Sequence, residues 1–86
     1  MKNEIENEII EAHDHCDCNR DELMESSVCG CFFCLNIFSP KEIKEWTPLA
    51  PTALCPHCGI DAVIGDKSGY PITEEFLGKM KKYWFY

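Results

Sequence analysis

The first third of the chain carries an apolar stripe with helical spacing. Its members recur three and four positions apart among acidic neighbours, and they are Ile5, Ile9, Ala12, His13 and Cys16. This period predicts an α-helix over residues 3–18. Asn19, with Glu22 three positions later, has the pattern of an N-cap and its partner. We therefore expect a second, short helix that ends near Ser27.

Short apolar runs in the middle of the chain predict strands. They cover residues 28–33, 35–38, 53–55 and 60–64, and turn-forming residues bound them, including a turn at 65–69. Between the second and third runs, Ser39-Pro40-Lys41-Glu42 combines an N-cap, a proline at the first helical position and a capping glutamate. This pattern predicts an inserted helix that ends near Trp46, before Pro48.

The last segment has the pattern of an amphipathic helix. Thr73 is placed to cap it, and Gly78 is its one weak helix former. Its apolar stripe consists of Phe76, Leu77, Met80, Tyr83 and Trp84. Because a small domain needs large side chains to fill its core, we interpret this stripe as core rather than as a ligand cage.

Composition adds a requirement for a cross-link. The chain has 86 residues, 45% of them hydrophobic, with 7 cysteines, and so small a chain buries only about 60% of its unfolded surface. The acidic start lacks the apolar run of a signal peptide, and no apolar stretch could span a membrane. We therefore expect a cytoplasmic protein, in which cysteines favour a metal over disulfides, as their odd number also does.

Two cysteine pairs have the spacing of a metal site. Cys31 and Cys34 are separated by two residues, as are Cys55 and Cys58, with 20 residues between the pairs. Two such turns can supply the four sulfurs of a tetrahedral zinc site. With all four positions filled by protein, the predicted single Zn²⁺ is structural rather than catalytic. Leu35 follows the first pair where glycine follows the second, which predicts a less regular first turn.

Two other readings of these cysteines stay open. Iron in the same four-sulfur set would make an electron-transfer site. Alternatively, Cys55-Pro56-His57-Cys58 has the dipeptide insert of thiol oxidoreductases, but a strand-like segment follows it where such enzymes begin a helix. His57 is then a surface turn residue, with a supporting role toward the sulfurs as the alternative.

Three cysteines and two histidines remain outside this pattern. They are His13, His15, Cys16, Cys18 and Cys29. On a helix, residues three apart share a face, so no more than half of the segment 13–18 could reach one ion without help from another segment. A second metal site is the open alternative to a packed Cys16 with an exposed His15 and Cys18. Cys29 could also compete with Cys31 for the first metal.

The net negative charge is confined to one region of the chain. Residues 1–27 hold 9 acids and 2 bases, whereas residues 28–86 hold 6 of each, so that the whole net charge of −7 lies in the first segment. Glu4, Glu8 and Glu11 are spaced as a solvated helical face. The acidic face of residues 1–27 is a candidate docking surface for a basic protein partner. The competing reading is plain solvation.

Nucleic-acid binding and catalysis are less favoured. The basic residues Lys41, Lys44, Lys79, Lys81 and Lys82, with the aromatic end of the chain, could form a base-stacking surface, but the acidic balance opposes binding to phosphates. The sequence contains no serine-nucleophile, phosphate-binding or zinc-protease motif. We therefore expect a protein that is not an enzyme.

From Cys31-Phe32-Phe33-Cys34 to Cys55-Pro56-His57-Cys58-Gly59, the chain resembles a rubredoxin-like zinc ribbon. This resemblance covers about residues 28–65 and implies zinc ligation by the same four cysteines. The longer string from Cys29-Gly30-Cys31 to Gly69-Tyr70-Pro71-Ile72-Thr73 also resembles a family of short bacterial zinc-ribbon proteins described only as cytoplasmic proteins. That second resemblance implies no activity, and fold alone does not establish function.

Together these patterns predict a small α+β domain stapled by zinc, with short antiparallel strands packed against N- and C-terminal helices. One domain spans 1–86: an acidic helical arm at 1–27, a zinc ribbon with a short inserted helix at 28–69, and an aromatic helix at 70–86. The expected function is that of a protein-interaction or regulatory module.

Overall fold

The fold is described by a computed structural model that covers residues 4–48 and 51–85, with side chains described from residue 7 onward. It is a small α+β structure built on three antiparallel strands. Strand β1 is Cys29–Cys31, β2 is Ile37–Phe38 and β3 is Val63–Gly65. Helix α1 is Glu4–Ala12, α2 is Arg20–Met24 and α3 is Glu74–Trp84.

The sheet has the order β2-β1-β3, so the short strand that ends at Cys31 lies in its centre. Gly30 pairs with Ile37 on one side and with Ile64 on the other. The strands are shorter than predicted, and segment 53–55 is not a strand: Ala53 forms a single bridge with Trp46. Gly30 sits where a Cβ would lie only 2.7 Å from Leu77 Cδ1, because helix α3 packs directly on β1.

The N-terminal prediction of one helix over residues 3–18 is partly wrong. After α1 the chain tightens into a 3₁₀ helix, His13–Cys16, and Cys18 takes a left-handed φ of 49°. The predicted stripe does face the core, because Ile9, Ala12 and Cys16 are buried. Ile5 lies outside the described side chains.

Helix α2 begins where predicted but ends at Met24 rather than Ser27. The predicted cap by Asn19 is wrong, since its side chain makes no capping hydrogen bond. Asn19 is instead 3% exposed, and its amide donates to the carbonyls of His15 and Val63 while its Oδ1 accepts from the N–H of Ala53. Two buried backbone groups and the partly buried carbonyl of His15 compete for this side chain more strongly than the helix terminus does.

The inserted helix is only one turn long. The predicted capping box at Ser39 and Glu42 is confirmed, yet the 3₁₀ helix Pro40–Glu42 ends there rather than near Trp46. Ile43 turns into an extended conformation and is buried. The extended chain then carries Trp46 to its bridge with Ala53, so tertiary pairing replaces the rest of the predicted helix.

Helix α3 follows the prediction at its start and departs from it at its end. Thr73 Oγ1 accepts from the N–H of Phe76, as its cap role requires. Phe76, Leu77 and Met80 are buried. Tyr83 and Trp84, predicted as core, are 39% and 37% exposed and lie at the C-terminal end of the helix.

One continuous core joins these elements. It contains residues of the acidic segment, Ile9, Ala12, Cys16 and Leu23, together with Phe32, Phe38, Ile64 and Leu77 of the rest of the chain. The described part of the N-terminal segment therefore packs against the rest of the fold. Among the helices that the structure describes, none has the length and apolar character needed to cross a membrane.

Candidate metal centre

Four sulfurs converge at one end of the sheet. Cys31 ends β1 and Cys34 follows in its turn, whereas Cys55 and Cys58 belong to the turn before β3. The Sγ atoms of Cys31 and Cys58 are 3.6 Å apart, as are those of Cys34 and Cys55, and all four lie within 4.8 Å of one another. This four-cysteine group could hold one metal ion.

Two of the six S···S distances are close to those around a tetrahedral ion. Four thiolates at a Zn–S distance of about 2.3 Å define S···S edges of about 3.8 Å. The two measured pairs lie within a few tenths of an ångström of that edge. Each short pair joins one sulfur of the first turn to one of the second, so an ion at the centre would cross-link the two turns.

The two turns have the same backbone construction. In the first, the N–H of Cys31 donates to the carbonyl of Asn36, and the N–H of Leu35 donates to the carbonyl of Cys31. In the second, the N–H of Cys55 donates to Ile60 and that of Gly59 donates to Cys55, with closely matching distances of 2.8–3.0 Å in all four bonds. Residues at equivalent positions, Phe33 and His57, also donate their N–H to the first sulfur of each pair.

The prediction of a less regular first turn is therefore wrong. Leu35 adopts a left-handed φ of 66°, close to the 81° of Gly59 at the equivalent position. Such a conformation is unfavourable for a residue with a Cβ. The packing of Leu35 against the core and the hydrogen bond from its N–H hold it there.

Burial and hydrogen bonds act on the sulfurs in opposite directions. Burial raises the pKa of the Cys31 and Cys55 thiols, although backbone N–H groups of their own turns partly offset the effect. Burial would also raise the pKa of Cys34, but the backbone and side-chain amides of Asn36 donate to its sulfur and lower the pKa to about 7. Asn36 is a supporting residue that the sequence prediction missed. The only indication of this role in the sequence is an amide side chain two residues after a cysteine.

His57 lies on the surface, as predicted. Its ring is 3.5 Å from the Glu42 carboxylate and packs near Phe38. Only its backbone N–H reaches a sulfur, that of Cys55. The support that His57 gives to the cluster therefore comes from the main chain and does not depend on histidine chemistry.

The structure does not bring the remaining cysteines and histidines together around an ion. Within residues 4–48 and 51–85, the four-cysteine group is the one set of three or more metal-ligating side chains in mutual reach. His15 contacts Glu22, the His13 ring packs against that of Trp84, and the Cys29 thiol donates to the carbonyl of Phe38. Cys16 is buried and Cys18 is exposed.

The charged surfaces are partly engaged in the fold. Glu11 accepts a hydrogen bond from Tyr70, and Asp17 accepts one from Thr52. Glu8 is exposed, whereas Glu4 and Glu6 lie outside the described side chains. Among the lysines, Lys79 pairs with Glu75 and Lys81 lies over the Phe33 ring.

No protein-family model matches the chain, and neither a curated protein nor a solved structure matches it significantly.

Proposed function

We propose that Cys31, Cys34, Cys55 and Cys58 bind one structural Zn²⁺. The observation that carries this proposal is the mutual distance of the four sulfurs, which suits a tetrahedral thiolate site. Hydrogen bonds from main-chain N–H groups and from Asn36 would stabilise the thiolates. Four protein ligands leave no position for water or substrate, so the metal would hold the fold together rather than take part in a reaction.

The zinc-ribbon fold is part of this proposal. Two turns of matching hydrogen-bond pattern, each carrying a cysteine pair, lie beside antiparallel strands. That arrangement supports the resemblance of residues 28–65 to a rubredoxin-like ribbon. The same four sulfurs would also suit iron, which makes electron transfer the competing function for this site.

We further propose that the protein acts as an interaction module in the cytoplasm of a bacterium, without enzymatic activity. Support comes from the exposed acids of residues 7–27, which are Glu8, Glu11, Asp14, Asp17, Asp21 and Glu25. Only Arg20 supplies positive charge in that range. Such a surface would favour encounter with a basic protein partner.

Nucleic acid is the less favoured partner. Phe76 is buried and so is not available for stacking on a base, although Trp84 and Phe85 are exposed. Lys79 and Lys81 already contact Glu75 and Phe33. The acidic charge of the chain would oppose binding to a phosphate backbone.

Native mass spectrometry with cobalt substitution tests the metal proposal. We expect one metal per chain. The Co²⁺-substituted protein should show the absorption spectrum of a four-thiolate complex. The Cys34→Ser variant should weaken metal binding, whereas Cys18→Ser, which changes an exposed cysteine, should leave it unchanged. A red iron-loaded protein would favour electron transfer, and two metals per chain would contradict the single-site proposal.

Affinity capture with charge-reversed variants tests the docking proposal separately. Glu8→Lys combined with Asp21→Lys and Glu25→Lys should abolish recovery of the partner that the zinc-loaded wild type retains. Recovery of the same proteins by both forms would contradict a role for this surface.

A further inference from the structure

A cleft on the surface of the molecule is lined by both aromatic and acidic side chains. It has a volume of about 460 Å³ and lies between the 3₁₀ helix His13–Cys16 and the end of α3. Its lining includes the aromatic residues Phe32, Trp84 and Phe85. It also includes the three carboxylates of Asp14, Asp17 and Asp61, and no lysine or arginine lines the cleft.

Two of these aromatic side chains are both exposed and held in place. Trp84 is 37% exposed and Phe85 is 42% exposed, so neither is fully buried in the core. The Trp84 indole N–H donates to the carbonyl of Ile9 at 3.4 Å, and its ring packs against that of His13 at a tilt of 32°, with centroids 4.0 Å apart. Phe85 packs on Phe33 with centroids 4.9 Å apart. These rings therefore present a preformed surface toward the cleft.

The carboxylates of the cleft are available to a ligand. Asp14 and Asp61 accept no hydrogen bond and form no ion pair within the described part of the chain, whereas Asp17 accepts one bond from Thr52. Burial raises the pKa of the Cys16 thiol, and all three carboxylates raise it further; Cys16 lines the same cleft.

The spacing of these groups distinguishes between kinds of cation. His13, Cys16 and the three aspartates do not come within mutual reach of one ion in residues 4–48 and 51–85. A compact metal ion is therefore a poor fit. A guanidinium group is larger and planar, stacks on aromatic faces, and bonds to carboxylates in a fixed fork.

We propose that this cleft binds an arginine side chain of a protein partner, with the guanidinium on Trp84 and bonded to Asp14 and Asp61. The inference rests on the proposed docking function and names its specificity site. The net charge of −7 would attract a basic partner before contact. The cleft then selects arginine because acidic and aromatic groups face the same space.

The experiment titrates the zinc-loaded full chain, labelled with ¹⁵N, with the peptide acetyl-Ala-Arg-Ala-amide at low ionic strength. The indole N–H signal of Trp84 should shift with saturation. The indole signal of Trp46, which lies under Arg20 outside the cleft, should not shift. The matched peptide with citrulline, the neutral isostere of arginine, should bind at least about fivefold more weakly, as expected for loss of a charged partner.

Two double variants with the same change in net charge locate the site. Asp14→Asn with Asp61→Asn should weaken the arginine peptide about fivefold to tenfold, from two partly exposed ion pairs. Asp21→Asn with Glu25→Gln, on exposed positions of α2, should change binding less than twofold. Zinc content, measured on each variant, shows that the fold is retained.

The possible contrary results separate the two proposals. If both double variants weaken binding equally and shifts spread over the acidic surface, the cleft assignment is wrong while the docking surface stands. If the citrulline peptide binds as well as the arginine peptide, the assignment is also wrong. If no cationic peptide binds at low ionic strength, both the cleft and the basic partner are contradicted.

Discussion

Leu35 and Gly59 hold nearly the same left-handed conformation at equivalent positions of the two cysteine turns. A Cβ at Gly59 would meet no atom within 4 Å, so conformation rather than space decides what a side chain does there. Gly78 offers the opposite case, because it has the same open surroundings but lies inside helix α3. Because neither glycine lacks space for a Cβ, substitution at Gly59 measures the energy of its left-handed backbone angle and substitution at Gly78 measures helix propensity.

Alanine at the two glycines should therefore act in opposite directions. Gly59→Ala is expected to lower the free energy of unfolding by about 1 kcal/mol, because φ near +81° is unfavourable for alanine. Gly78→Ala is expected to raise it by about 1 kcal/mol through helix propensity. Guanidinium denaturation of the zinc-loaded variants measures both, and a change of the same sign in both variants would contradict the argument.

Cysteine exposure predicts a simple pattern of chemical modification. Cys18 is exposed, Cys16 and Cys29 are buried, and the other four form the group that could hold a metal ion. Iodoacetamide should add rapidly to one thiol of the zinc-loaded protein, as counted by intact mass. Cys18→Ser should remove that adduct and Cys16→Ser should not, whereas chelation in denaturant should make all 7 thiols reactive. A second rapid adduct in the loaded protein would show that a cysteine taken as protected is accessible.

Cys16 predicts a loss of stability at alkaline pH. Burial, followed by the nearby carboxylates of Asp61, Asp17 and Asp14, raises its pKa from 9.0 to about 11. The folded state thus holds this proton more tightly than the unfolded chain, and its stabilising effect is complete below pH 9 and is lost as pH rises toward 11. Unfolding free energies of wild type should fall more steeply over that range than those of Cys16→Ala. If the unfolding free energies of wild type and Cys16→Ala fall equally with pH, the role given to the Cys16 thiol is contradicted.

At the scale of elements, local rules predicted the starts of helices better than their ends. The caps at Ser39 and Thr73 are confirmed because each needs only a few neighbouring residues. The predicted ends of the inserted helix and of α2 were wrong, since contacts with distant segments end these helices earlier. The same competition removed Asn19 from its predicted cap and made it a link between three segments.

Asn19→Ala should be among the most destabilising single changes. The substitution leaves the buried Ala53 N–H and the Val63 carbonyl without their partner, and an unsatisfied buried group costs about 1–3 kcal/mol. We expect a loss of about 2–4 kcal/mol in urea denaturation. Asn7→Ala, the same change at an exposed position of α1, should stay within about 0.5 kcal/mol. Equal effects of the two changes would show that the Asn19 hydrogen bonds contribute little.

At the scale of the whole molecule, the proposed metal joins segments that the chain itself holds together only weakly. The three strands contain three, two and three residues, and small domains have little stability to lose. The two cysteine turns connect the central strand to the loop before β3. A cross-link at that point would order the sheet and the core around it.

Removal of the metal should therefore unfold much of the chain. Structural zinc in small domains supplies apparent binding energies of about 10–16 kcal/mol, which is comparable to or larger than the total stability of a typical domain. Chelation is expected to collapse the dispersion of the amide NMR spectrum, and one equivalent of Zn²⁺ should restore it. Cys31→Ser should not recover on zinc addition, whereas Cys18→Ser should. An apo form with an unchanged denaturation midpoint would contradict this role of the metal.

The sequence alone determined those features that depend on spacing along the chain. Two cysteine pairs, the helix caps and the apolar stripes of α1 and α3 follow from tight turns and helical periodicity, which need only neighbouring residues. Tertiary structure alone decided the left-handed turn at Leu35, the burial of Asn19 and the meeting of Asp61 with Trp84 at one cleft. These depend on which distant groups compete for the same space or hydrogen bond, and no local pattern encodes that competition.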